Sequence, residues 1–254
     1  MTEDVYRRLA EHLSTLGMGY PVTEDLEEIL KANFTPDEAE VALALPTRVA
    51  PLQLTSVDDI SAKVDLPREE LVKMLESLAQ RGLLFSGKMK EGERGYALLQ
   101  LGHGFPQTFF WGGEDTPHAR NMAALISKYF NRRVTAEAYG GSRTKQSRYI
   151  PVGETINQEM QAVYPYDVME EVIEKARVIA VAHCPCRMMA RVKGGGCEHP
   201  LEVCLKYDEI AEYVIEKGLA REVTKEEALE IVKKSEELGL VHFVDNAMGD
   251  VKHT

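Results

Sequence analysis

A chain of 254 residues, 44% apolar and 28% charged, holds enough apolar side chains for one large core or two smaller ones. The same balance excludes a disordered chain. A net charge of −11 weighs against nucleic acid and anionic membranes as partners, although a local basic face stays compatible with it. No apolar run approaches the roughly 18 residues that span a bilayer, so no membrane span is expected. The opening Met1-Thr2-Glu3-Asp4 has neither a basic n-region nor an apolar stretch, and the expected location is cytoplasmic. Thiols stay reduced there, so clustered cysteines point to metal or redox chemistry more than to structural disulfides.

In chain order, Val5, Tyr6, Leu9, Leu13 and Leu16 recur at helical spacing, and Gly17 ends the run. A second helix is predicted after Thr23, and a third from Thr35-Pro36 to Leu45. Ser56, with Asp59 three residues on, predicts the cap of a short helix. Pro67 suits the first turn of the next helix, which places Leu71, Met74, Leu75 and Leu78 on one face and ends at Gly82. Two strands, Leu83 to Lys88 and Gly95 to Leu101, flank a turn at Glu91-Gly92. Helix, turn, helix and hairpin in this order resemble a winged helix.

After Gly102 the chain turns aromatic and glycine-rich, in "GHGFPQTFFWGG", which predicts a domain boundary near Trp111. Phe105, Phe109, Phe110 and Trp111 read as interdomain core, not as a cofactor pocket. A helix is predicted from about Pro117 to Phe130, then a loop over "YGGSRTKQSRYIPVG", then a helix from Tyr166 to Ala176. "RVIAVAH" is a β-branched strand running into Cys184. Beyond Cys204 come a helix from Tyr207 to Lys217, a helix capped by Thr224 and Glu227, and a last strand "LVHFV". The expected fold is α+β: a helical and winged-helix module over 1–110, then a small α/β iron–sulfur domain over 111–254.

All four cysteines fall in "AHCPCRMMARVKGGGCEHPLEVC", with the spacing Cys-x-Cys-x10-Cys-x6-Cys. Cys184, Cys186, Cys197 and Cys204 form a donor set for a structural zinc or an iron–sulfur cluster. Pro185 predicts an extended Cys184. In extended chain the sulfurs of Cys184 and Cys186 lie about 6.6 Å apart, from a rise of about 3.3 Å per residue. Ligand sulfurs of a four-iron cubane are on the order of 6 Å apart, whereas those around one zinc lie within roughly 3.8 Å. That comparison favours the cluster, a [4Fe-4S] centre, with zinc as the alternative and inert thiols as the bland reading. Gly194, Gly195 and Gly196 are expected to bring backbone N–H groups close to cluster sulfides. Arg187, Arg191 and Lys193 supply positive charge, and Cys204 is placed on the first turn of the following helix, where thiolate is favoured. His183 and His199 flank ligand positions and read as hydrogen-bonding or surface histidines, with replacement of a cysteine as the alternative.

"IAVAHCPCR", the Gly-Cys at 196–197, and "PLEVC" with the helices after it resemble the winged-helix-linked four-iron–four-sulfur ferredoxin-like proteins of anaerobic bacteria. "RYIPVGETINQEMQAVYPYDVMEEVIEKA" is similar to theirs as well, so the likeness runs from about Arg148 to Asn246. The resemblance implies cluster binding and redox work without naming a substrate. Such proteins continue past a "GDVKHT"-like segment into a cysteine-rich run and a ferredoxin module, where this chain stops at Thr254.

The resulting expectation is an electron-transfer protein without catalysis of its own, docking a redox partner protein in an anaerobic oxidoreductase system. The sequence leaves a homo-oligomer open. A redox-sensing winged-helix regulator and a zinc-stapled interaction protein are the alternatives. DNA is the weaker partner, because Arg68, Lys73 and Arg81 on the second helix are offset by Glu69, Glu70 and Glu76. Arg132, Arg133, Arg143, Lys145 and Arg148 read as a solvated loop in preference to an anion site. No dinucleotide fingerprint, P-loop or Ser-His-Asp pattern stands out.

Overall fold

The computed structural model describes residues 4–90, 92–140, 147–149 and 169–245, and they form a mixed helix-and-sheet fold with separate antiparallel sheets. The chain divides into two units. The first holds Met1–Phe109, Glu114–Arg143 and Val192–Gly194; the second holds Phe110–Gly113, Thr144–Arg191 and Gly195–Thr254.

The first unit opens with α1 (Val5–Ser14), α2 (Glu24–Asn33) and α3 (Pro36–Leu43). Their starts follow from the capping residues. The Thr23 hydroxyl accepts from the Leu26 amide, and Thr35 with Glu38 closes a reciprocal capping box before Pro36. Next come β1 (Thr55–Ser56), α4 (Val57–Ser61), α5 (Arg68–Gln80), β2 (Leu84–Lys88) and β3 (Arg94–Leu98). Ser56 caps α4 through the Asp59 amide, as its spacing predicts. β3 lies between β1 and β2, with Leu84 opposite Leu98 and Lys88 opposite Arg94. Leu71, Leu75 and Leu78 of α5 are buried, while Met74 is only half-buried.

After β3 the chain returns to the N-terminal helices. The buried Tyr20 hydroxyl donates to Leu99 O, and the Tyr20 ring stacks on Phe105 at 4.6 Å. Phe105 opens α6 (Phe105–Trp111), which α7 (Pro117–Tyr129) and α8 (Arg132–Gly140) follow. α7 packs on α2: Tyr129 donates to Pro21 O, and Lys128 pairs with Asp25 at 2.7 Å. That packing groups α7 with the first unit, whereas the boundary expected at 110/111 assigns it to the second. α8 replaces the start of the expected loop and carries Arg132 and Arg133, both exposed. Arg143 and Lys145 lie outside the described residues.

The second unit contains β4 (Ser147–Tyr149), α9 (Met169–Lys175), β5 (Ile179–His183), α10 (Pro185–Val192), β6 (Glu202–Tyr207), α11 (Asp208–Glu216), β7 (Arg221–Glu222), α12 (Lys225–Glu237) and β8 (Phe243–Asp245). β4, expected as loop, pairs antiparallel with β8. β5 is the central strand of a second sheet, between β6 and β7. Ile173 of α9, Ile179 and Val181 of β5, and Ala228 and Val232 of α12 make the core on one face of that sheet. The similarity segment 150–168 and the start of the helix expected from Tyr166 lie outside the described residues.

Gly82 ends α5 at φ +71°, a left-handed conformation that glycine adopts without a Cβ penalty. A Cβ there would stand 2.6 Å from Thr108 Cβ, and the Thr108 hydroxyl donates to Gly82 O. Gly82→Ala is expected to lower unfolding free energy by about 1–3 kcal/mol in urea titrations. An unchanged midpoint would contradict this packing.

Candidate metal centre

The site is built from strand alternation. In β5, Ile179 lies opposite Tyr207 and Val181 opposite Leu205, and all four side chains join the core with α9 and α12. Alternation therefore sends Ala182, Cys204 and Lys206 to the other face. Cys204 sits on β6 opposite Ala182, not on the first turn of a helix as its sequence position suggested. "EVCLKY" finds more apolar contact as a strand against "IAVAH", which moves the start of α11 to Asp208.

β5 ends in a register shift between Ala182 and His183, and the chain turns directly into α10. The Cys184 amide donates to Leu201 O at 2.7 Å, and its carbonyl accepts from the Met188 amide at 2.9 Å. Cys184 is thus the residue from which the helix starts, with Cys186 in its first turn. The expected extended Cys-Pro-Cys does not form. Pro185 restricts the residue before it and suits the first helical position, so it leaves Cys186 free to coil. The roughly 6.6 Å separation drawn from extended geometry falls with it, because Pro185 and Cys186 are helical.

Electrostatics couples Cys184 and Cys186. The hydrogen bond from Cys186 pulls the Cys184 thiol down to about 6; the Arg187 backbone N–H, the Arg187 charge and the Cys186 N–H act in the same direction, against burial. These are the first N–H groups of a helix, where a thiolate is favoured. Cys186 shifts upward, first because its proton is held by Cys184, then through burial and the charges of Cys184 and Cys204. Burial, with Cys204 adding to it, raises the Tyr207 phenol. Arg187 faces both thiols and also donates to Pro200 O at 2.7 Å, fixing the chain between the third and fourth cysteines.

Cys197 is exposed on the loop after α10, as Cys186 is in the first turn of that helix. Gly194 and Gly196 take left-handed φ of +82° and +106°. Gly194 serves as the C-terminal glycine of α10, with the Gly195 N–H returning to Ala190 O at 3.0 Å. That N–H is spent within the loop. Among the described residues, no group of three or more His, Cys, Asp or Glu side chains is arranged to hold a metal ion.

Sequence reasoning missed Trp111 and Lys206 as neighbours of the site. The Lys206 ammonium lies 4.3 Å from the Trp111 ring centroid, on the sheet face that carries Cys204. His183 Nδ1 lies 3.1 Å from Trp111 O, so it donates there, and its far ring edge packs on Gly113 (φ +76°). His183 is a packing residue here. Among the described residues, the buried Trp111 indole N–H has no acceptor, a donor left over on that face. The residues present are thiols, the donors a thiophilic metal takes: Cys184 and Cys186 stand at the start of α10, Cys204 on β6, and Cys197 on a glycine loop seven residues before Cys204. Compared with protein-family models, curated proteins and solved structures, the chain gives no significant match.

In the metal-free protein, iodoacetamide alkylation of Cys184, read by peptide mass spectrometry, should rise with a midpoint near pH 6, against about 8.5 for an ordinary thiol. Cys186→Ala removes the donor and should move the midpoint up by about a unit or more. A wild-type midpoint at an ordinary thiol value would show that the proton is not shared.

Proposed function

We propose that this chain is an iron–sulfur electron-transfer protein whose single [4Fe-4S] cluster is held by Cys184, Cys186, Cys197 and Cys204. The observation that carries this reading is the strand-to-helix turn that puts Cys184 and Cys186 at the start of α10, next to the β5–β6 pair that carries Cys204, and lowers the Cys184 thiol to about 6. A bound cluster would supply one-electron chemistry. The protein's part is to hold the thiolates, to place the Arg187 charge beside them and to shield one side with the β5–β6 sheet. The likeness to ferredoxin-like proteins of anaerobic bacteria supports the same reading, with a redox protein as partner.

The order of α3, β1, α4, α5, β2 and β3, with β3 central, supports a winged-helix reading of that module. Three of its arginines are engaged within the protein. Arg68 pairs with Asp58, Arg81 with Glu38 and Asn33 O, and Arg94 with Glu76 at 3.2 Å. A helix whose arginines are spent this way suits protein docking better than phosphate contacts.

A second reading has specific support. Cys186 lies in the first turn of α10 and not in extended chain, so the separation that favoured a cluster over one ion no longer applies, and the zinc staple gains by it.

Anaerobically purified protein is expected to contain about four iron and four sulfide per chain, with broad absorbance near about 400 nm. Cys184→Ala and Cys204→Ala should each lose most of the iron. One zinc per chain without iron or sulfide would overturn the cluster and select the staple.

A further inference from the structure

A cavity of about 510 Å³ opens beside the chain segment that joins the third and fourth cysteines. Its volume falls in the range of small-molecule sites, roughly 300–1,000 Å³. One wall is the segment itself, with Pro200, Leu201 and Val203; Ile231 of α12 faces into the same space. That wall is preformed. Arg187 holds Pro200 O, and the Cys184 amide holds Leu201 O, so the bonds that build the thiol site also fix this surface.

Three cations line the cavity: Arg191 at the end of α10, Arg221 of β7 and Lys234 of α12. Arg221 is spent, on Glu202 at 3.2 Å and Glu227 at 2.7 Å. Arg191 and Lys234 have no ion-pair partner among the described residues. The one unpaired carboxylate in the lining, Glu198, offsets only one of them, and His199 adds an imidazole. The lining thus holds three cations against Glu198 and Glu202, and the third carboxylate, Glu227, lies outside the lining on Arg221. Two unpaired cations beside an apolar wall specify a ligand with both features.

We propose that this cavity binds a small organic anion, a carboxylate on a short apolar body. Arg191 and Lys234 take the carboxylate, and Pro200, Leu201, Val203 and Ile231 take the body. Binding rests on the cavity alone and does not require a metal at the cysteines. The anion lies against the segment that carries Cys204, which gives it a place beside the thiol site and not within it.

Butyrate is the probe, with butyramide as the uncharged control, titrated into the full chain. Calorimetry and backbone amide shifts serve as readouts. The expected result is saturable binding at one site, with shifts at Leu201, Val203 and Ile231. Arg191→Gln/Lys234→Gln should bind butyrate at least tenfold more weakly while its circular dichroism and thermal midpoint stay unchanged. Butyramide should give no saturable shift. Absence of saturable butyrate binding, equal binding by the double variant, or equal binding of butyramide would each overturn the proposal. Should the double variant fail to fold, Arg191→Gln alone, on the exposed end of α10, carries the same comparison. Iron and zinc content of the same samples reports on the cysteines separately, so failure of one reading is distinguishable from failure of the other.

Discussion

The pairing of β5 with β6 is the constraint on which the second unit depends. Once Ile179 lies opposite Tyr207, a repeat of two residues per pleat assigns every other side chain. Ile179, Val181, Leu205 and Tyr207 enter the core against α9 and α12. Cys204 and Lys206 are sent to the opposite face. A slip of one residue would bury Cys204 and Lys206 among the apolar side chains of α9 and α12, and the burial of a lysine ammonium there would oppose it. The hydrophobic register thereby fixes the position of one cysteine, although no cysteine takes part in setting it.

A second consequence concerns where β5 stops. The register shift at Ala182–His183 ends the ladder, and Pro185 opens α10 at once. Cys184 then stands at a junction where its own amide is satisfied by Leu201 O and helix N–H groups face its sulfur. Thiolate stabilisation at this point comes first from the Cys186 side chain, with the Arg187 and Cys186 N–H groups of the strand-to-helix turn and the Arg187 charge reinforcing it. The same turn anchors the segment from Pro200 to Leu201, so the thiol site and the adjoining cavity share one set of hydrogen bonds.

The first unit is organised by a different rule. Its helices begin at capping side chains, Thr23, Thr35 and Ser56, and its sheet is closed by a strand order that places β3 in the middle. Tyr20 and Tyr129 each send a buried hydroxyl to a main-chain carbonyl far away in sequence, Leu99 O and Pro21 O. These two bonds join segments that local pattern cannot relate. They explain why α7, which follows a glycine-rich stretch that reads as a boundary, packs with the helices that precede it.

Local chemistry was legible from the residues alone. Caps, helix faces, the β2–β3 hairpin, the strand before Cys184 and the grouping of the thiols all rest on interactions within a few positions of chain. What the residues could not reveal was set by contacts between distant segments. Cys204 reads as the first turn of a helix until "IAVAH" is beside it, and Cys-Pro-Cys reads as extended until Leu201 O takes the Cys184 amide and α10 begins. Trp111 and Lys206 lie 95 residues apart, and only folding makes them neighbours. The thiols were therefore written in the sequence, whereas their placement was decided by long-range backbone pairing, which no local propensity encodes.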